Sequence, residues 1–234
     1  MKIFRLLSLL LVVLLASCLN KKKSADTGMP GNESRYVVLA YVTSWGVSTP
    51  ETSCLTHINY AFGHVADDNK GMRIDNEPRL QMIVGLKKEK PSLKVLLSVG
   101  GWGSSRFSEM AANDSTRTAF AADCRRVIDK FGLDGIDIDW EYPGSGTAGI
   151  SFSSADKENF TLLMRDVRQA VGKDKLLTIA TAATGRYYDF RAIEPYVDYV
   201  NIMAYDMEEA PFHHAALHCS DMTEEWSCEK AVAG

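Results

Sequence analysis

Between Asp134 and Pro143 the chain reads Asp-Gly-Ile-Asp-Ile-Asp-Trp-Glu-Tyr-Pro, a strict alternation of period two. Side chains alternate across a β-strand, so Asp137, Asp139 and Glu141 share one face while Ile136, Ile138 and Trp140 share the other. Taken alone, this pattern also suits an antiparallel strand with a solvated acidic face. Its surroundings point elsewhere. Strand-like runs rich in Val, Ile, Leu and Ala fall at 36–45, 57–63, 94–101, 135–142, 176–183 and 199–206, separated by helical stretches at 78–89, 115–131, 155–171 and 190–196. In the second helical stretch Ala119, Phe120, Cys124, Val127, Ile128 and Phe131 recur at the spacing of one buried helix face. Strands of this kind between helices indicate a parallel sheet with a covered outer side. The apolar face of the acidic strand then packs on helices, and its carboxylates point inward.

A doubly wound sheet and a β/α barrel both accommodate this order. No G-x-G-x-x-G turn follows the first strand, so a dinucleotide site has no support. In a barrel the inward face is the lumen, where same-face carboxylates are desolvated and only ~6.6 Å apart. Not all of them can ionise there. At least one pKa rises, leaving a protonated acid beside an ionised partner, which is the division of labour that glycosidic cleavage requires. Glu141 is nearest the C-terminal end of the strand, where barrel active sites form.

The run Asp134 to Glu141 resembles the D-x-x-D-x-D-x-E signature of family 18 glycoside hydrolases, the chitinases and their relatives. Ser98-Val99-Gly100-Gly101-Trp102 is similar to that family's S-x-G-G motif, and Met203-Ala204-Tyr205-Asp206 to its M-x-Y-D. The resemblance runs from about Tyr36 to the end of the chain. It implies a TIM-type (β/α)8 barrel and endo-acting hydrolysis of β-1,4-linked N-acetylglucosamine polymers, with the substrate's own 2-acetamido oxygen as nucleophile. Under it, Glu141 is the general acid and then the base, Asp139 orients the acetamido group, Asp137 shares a proton with Asp139, and Tyr205 donates to the acetamido oxygen. Met203 and Asp206 line the same sugar, and Trp102, Tyr41, Phe62 and Tyr142 are the candidate aromatic platforms. Ser98 hydrogen-bonds the inner aspartates, Gly100 and Gly101 let the backbone pass close, and Asp134 fixes the turn into the strand. The resemblance implies neither a cofactor nor a metal.

Six βα units are counted where a closed barrel has eight, so the chain is expected to be a C-terminally truncated, incomplete barrel. Two other readings stay open: a surface lipoprotein that binds N-acetylglucosamine polymers without cleaving them, and an endo-β-N-acetylglucosaminidase acting on N-glycans. His213, His214 and His218 offer an i, i+4 pair, but they fall in a loop after the sixth strand and lack a nearby H-E-x-x-H glutamate. Of the cysteines beyond Cys18, Cys219 and Cys228 are near enough in sequence to close a short disulfide loop.

At the other end, Leu6 to Ala16 is apolar apart from Ser8, follows Lys2 and Arg5, and is too short to span a bilayer. It reads as a secretory signal. Leu15-Ala16-Ser17-Cys18 resembles the lipobox of bacterial lipoproteins, which implies acylation of Cys18. The expected organisation is a signal peptide at 1–17, a polar tether at 18–34 and a catalytic domain at 35–234, lipid-anchored in a bacterial cell envelope. The formal net charge of −4, more negative once Lys2 and Arg5 are removed, argues against a nucleic-acid partner.

Overall fold

The computed structural model describes residues 36–223 and 225–233. The chain divides into a unit at 1–36 and a unit at 37–234. The expected signal peptide, Cys18 and tether lie outside the described residues. Among those described, no helix is long and apolar enough to cross a membrane.

The second unit is built on one sheet of strands β1 (Leu39–Thr43), β2 (His57–Val65), β3 (Met72–Ile74), β4 (Lys94–Gly100), β5 (Gly135–Asp139), β6 (Leu176–Ala182) and β7 (Tyr199–Met203). The strand order is β1-β2-β4-β5-β6-β7, and every neighbouring pair along it is parallel. Only β3 is antiparallel, folded back onto β2 through a turn at residues 66–71. The helices are α1 (Glu77–Gly85), α2 (Phe107–Ala111), α3 (Asp114–Phe131), α4 (Asp156–Val171), α5 (Phe190–Ile193) and α6 (Cys228–Ala233). This is a parallel half-barrel with helices, an incomplete TIM-type (β/α)8 arrangement. The six parallel strands coincide with the runs read from the sequence, while β3 and α2 are additions.

The sheet is curved, because side chains from strands far apart in its order meet inside it. The rings of His57 on β2 and Tyr199 on β7 contact edge to face at 5.8 Å. Tyr41 on β1 and Asn201 on β7 both reach Asp137 on β5. Outward positions form the core under the helices. Val95, Leu97 and Val99 of β4 and Ile136 and Ile138 of β5 pack with Phe120, Cys124, Val127 and Ile128 of α3 and with Phe160, Leu163, Met164 and Val167 of α4. Trp140, just past β5, is fully buried and stacks on Phe107 of α2 at 5.3 Å. Burial is complete on β5 and nearly so on β4, whereas β1 and β7 at the two margins stay partly exposed.

Two expectations are corrected here. The acidic strand ends at Asp139 instead of Tyr142. Its pairing with β6 stops at Ile138, and the Asp139 carbonyl accepts the Gly101 N–H at 2.9 Å, so Glu141 stands free of the ladder. Cys219 and Cys228 are not bridged. Both are free thiols, and Cys219 Sγ lies 3.4 Å from Ser227 Oγ.

Candidate active site

The three carboxylates read from the alternation rise from the lumen to its mouth in three different environments. Asp137 is fully buried and accepts four hydrogen bonds. Ser98 Oγ at 2.7 Å and the Tyr41 hydroxyl at 2.9 Å reach Oδ2, while Thr178 Oγ1 at 2.5 Å and Asn201 Nδ2 at 3.1 Å reach Oδ1. Burial raises its pKa, and the four donors oppose part of that rise. Asp139, one pleat higher, is also buried, yet its Oδ1 has no hydrogen-bond partner. Desolvation first, and then the charges of Glu141 and Asp137, lift its pKa well above the ordinary carboxylate value. Glu141 sits at the rim of a cavity. Burial raises its pKa as well, opposed by a hydrogen bond from Tyr142.

Backbone geometry permits this stacking. Gly100 (φ 132°) and Gly101 (φ 92°) adopt a conformation that favours glycine, and a Cβ on Gly100 would overlap the Asp139 carbonyl. The S-x-G-G run therefore brings β4 against the end of β5. Of the two inner aspartates expected to bond Ser98, the hydroxyl reaches Asp137. No hydrogen bond joins Asp137 to Asp139; the two are coupled through charge.

A cavity of about 570 Å³ opens above the carboxylates and is lined by Trp102, Glu141, Tyr142, Met203, Tyr205 and Trp226, among others. Asp206 lines it too, and its Oδ1 lies 3.2 Å from His214 Nδ1. Trp102 is 63% exposed and Tyr205 51%, so both present free aromatic surface at the mouth. Trp102 meets the edge of Tyr142, which stacks on Tyr187 at 4.6 Å. Burial and the charges of Asp139 and Glu141 raise the Tyr205 pKa, keeping its hydroxyl protonated as a donor.

Of the residues singled out in the sequence, Glu141, Tyr142, Met203, Tyr205, Asp206 and Trp102 come together on this cavity. Tyr41 enters instead through its hydroxyl on Asp137. Phe62 packs between Trp45 at 6.5 Å and His64 at 6.3 Å, beneath Gly101. Asp134 lies at the opposite end of β5, where it accepts the Val95 N–H at 2.8 Å and pairs with Lys87 at 2.7 Å, in keeping with a turn-fixing role. Thr178, Asn201, Tyr187 and Trp226 were missed. Thr178 and Asn201 carry a legible signal, being the polar, inward positions of otherwise apolar strands; Trp226 arrives from a loop and carries none.

Over residues 37–233 the chain matches the family model described as Glycosyl hydrolases family 18. It is 30% identical to Chitinase A1 of Niallia circulans, over 89% of this chain and 39% of that protein. To Probable chitinase 2 of Drosophila melanogaster it is 33% identical, over 84% of this chain and 45% of that protein. The chain thus spans less than half the length of these relatives. Among solved structures, the chitinase domain of the spore coat protein CotE from Clostridium difficile superposes with a TM-score of 0.81 at 34% identity, covering 89% of this chain and 62% of that one. A family 18 N-acetylglucosaminidase from Paenibacillus barengoltzii superposes with a TM-score of 0.78 at 37% identity, covering 85% and 63%.

Proposed function

This chain belongs to glycosyl hydrolase family 18, and we propose that it hydrolyses β-1,4-linked N-acetylglucosamine polymers, chitin or its oligosaccharides, with retention of anomeric configuration. The observation that carries the reading is the graded carboxylate column. An acid with a raised pKa stands at the rim of an aromatic-walled cavity, above an aspartate with an unsatisfied buried oxygen, itself above an aspartate held by four donors.

Each residue has a step. A sugar seated against Trp102 and Tyr142 presents its glycosidic oxygen to Glu141, which gives up its proton as that bond breaks. The sugar's 2-acetamido oxygen attacks the anomeric carbon from the opposite face. The free Oδ1 of Asp139 accepts the amide N–H and its charge stabilises the cationic ring that forms, while Tyr205 donates to the acetamido oxygen. In a desolvated site that electrostatic help is worth far more than in water. Asp137, fixed by Tyr41, Ser98, Thr178 and Asn201, supports Asp139 from beneath. Glu141, now ionised, takes a proton from water, and the hydroxide opens the ring.

The test is Glu141→Gln, which keeps the shape and removes the proton. Turnover of chitin oligosaccharides should fall at least ~100-fold with binding retained. A variant keeping half its turnover would remove Glu141 from the mechanism. Binding without cleavage by the unaltered chain would favour the non-catalytic reading.

At its N-terminus the chain is proposed to be a lipid-anchored protein of a bacterial cell envelope, on the strength of Leu15 to Cys18 and the polar stretch that follows. Several acyl chains bind a bilayer firmly where one does so only marginally. Cys18→Ser should shift the protein from the membrane to the soluble fraction or block its processing, and unchanged partitioning would reject the anchor.

A further inference from the structure

On the other side of Trp102 lies a second cavity, of about 530 Å³, that the glycosidase chemistry does not use. His64, Ser104, Arg73 and Arg106 line it. Ser104 Oγ is 2.9 Å from His64 Nδ1, and His64 Nε2 is 3.1 Å from Asp75 Oδ2. The three side chains come from separate pieces of chain: β2, the turn after β3, and the loop between β4 and α2.

The direction of the proton chain follows from charge. Asp75 pairs with Arg73 and faces His64 as an acceptor, since a carboxylate has no proton to give. With Nε2–H directed at Asp75, the Nδ1 of His64 is the nitrogen that faces Ser104. In that arrangement the Ser104 hydroxyl is placed to donate to Nδ1. A hydroxyl bonded to a base that is itself oriented by a carboxylate is the arrangement that activates a serine nucleophile. The backbone holds it there: Ser104 N–H donates to the Gly101 carbonyl at 2.9 Å, and the Phe62 ring packs 6.3 Å from the His64 ring.

We propose that Ser104, His64 and Asp75 form a second hydrolytic centre that removes small acyl groups from ester oxygens, such as an O-acetyl on a sugar lying beyond Trp102. Ser104 Oγ bonds to the acyl carbon as its proton passes to His64 Nδ1. The tetrahedral oxyanion forms beside a wall that carries Arg73, paired with Asp75, and Arg106, paired with Asp67 at 3.3 Å. Collapse breaks the ester C–O bond, and the sugar hydroxyl leaves with the proton from His64. Water then repeats the sequence, its proton going to His64 and its oxygen to the acyl carbon, which releases the carboxylic acid and restores Ser104. Trp102 lines both cavities, so one glycan could pass both centres.

The test uses the whole chain with p-nitrophenyl acetate and, separately, a fluorophosphonate label. Expected are release of p-nitrophenol with saturation, and one phosphonate adduct on the peptide containing Ser104. Ser104→Ala should abolish the adduct, and Ser104→Ala and His64→Asn should each lower turnover about 100-fold, with thermal unfolding showing that both variants fold. An adduct elsewhere, no adduct, or Ser104→Ala hydrolysing the ester as fast as the unaltered chain would overturn the proposal. The labelling result on the unaltered chain stands even if a variant fails to fold.

Discussion

Asp139 combines burial, two carboxylate neighbours and an oxygen with no partner, a combination selected by chemistry and costly to the fold. Its folded pKa is raised, so the folded state binds the proton more tightly than the unfolded chain. The contribution of Asp139 to stability is therefore fullest below the ordinary carboxylate value of 3.8 and declines as pH rises from there toward the raised one. Asp139→Asn should accordingly raise the unfolding temperature at pH 7, with the gain shrinking as pH falls toward 4, while hydrolysis collapses. Thermal melts across that range check it, and a variant no more stable at pH 7 than the parent would mean that Asp139 is better satisfied than its geometry implies. The period-two pattern was sufficient to place Asp137, Asp139 and Glu141 on one inward column. It could not reveal that Asp137 has four donors and Asp139 an orphan oxygen, because those donors come from β1, β4, β6 and β7, up to 96 residues away.

At the scale of elements, the strands were legible because parallel, helix-covered strands must be apolar, and the long helices because their buried faces repeat at three and four. What escaped was held by polar contacts. Arg117 falls on the buried face of α3, where apolar spacing gives it no place. It is tolerated because its Nε pairs with Asp166 of α4 at 3.0 Å and its Nη1 donates to the Ala111 carbonyl at 2.7 Å. Asp156, the first residue of α4, is fully buried. It accepts the Ser108 hydroxyl at 2.7 Å, the Ser153 N–H at 2.8 Å and the Gly144 N–H at 3.2 Å. It thereby ties the segment that follows Glu141 to α2 and α4. Asp156→Ala strands the buried Ser108 hydroxyl and two part-buried N–H donors and should cost about 2 kcal/mol in denaturant unfolding. A loss within ~0.5 kcal/mol of zero, the range of ordinary surface changes, would show that the segment is held by other means.

For the molecule as a whole, the sheet is deeply covered at its centre and thinly at its margins. Among the described residues, β1 pairs only with β2 and β7 only with β6, and Tyr41, Tyr199 and Val200 are more than a third exposed. Unpaired strand edges are templates for association, so the 234 residues expressed alone should self-associate. A sharp monomer peak in light scattering would argue that the margins are protected. The same gradient has a kinetic meaning. Amides exchange with solvent at rates set by local opening, and those of Val95–Val99 and Ile136–Ile138 should outlast those of Leu39–Thr43 and Tyr199–Met203 by orders of magnitude. Uniform protection would contradict this. Glu141 and Asp139 extend from the slow-opening centre, whereas Met203, Tyr205 and the Asn201 that braces Asp137 belong to a margin that unzips early. The two halves of the proposed acetamido-binding grip are thus mounted on parts of the sheet with different lifetimes, and activity should be lost on warming before the central strands give up their amide protons.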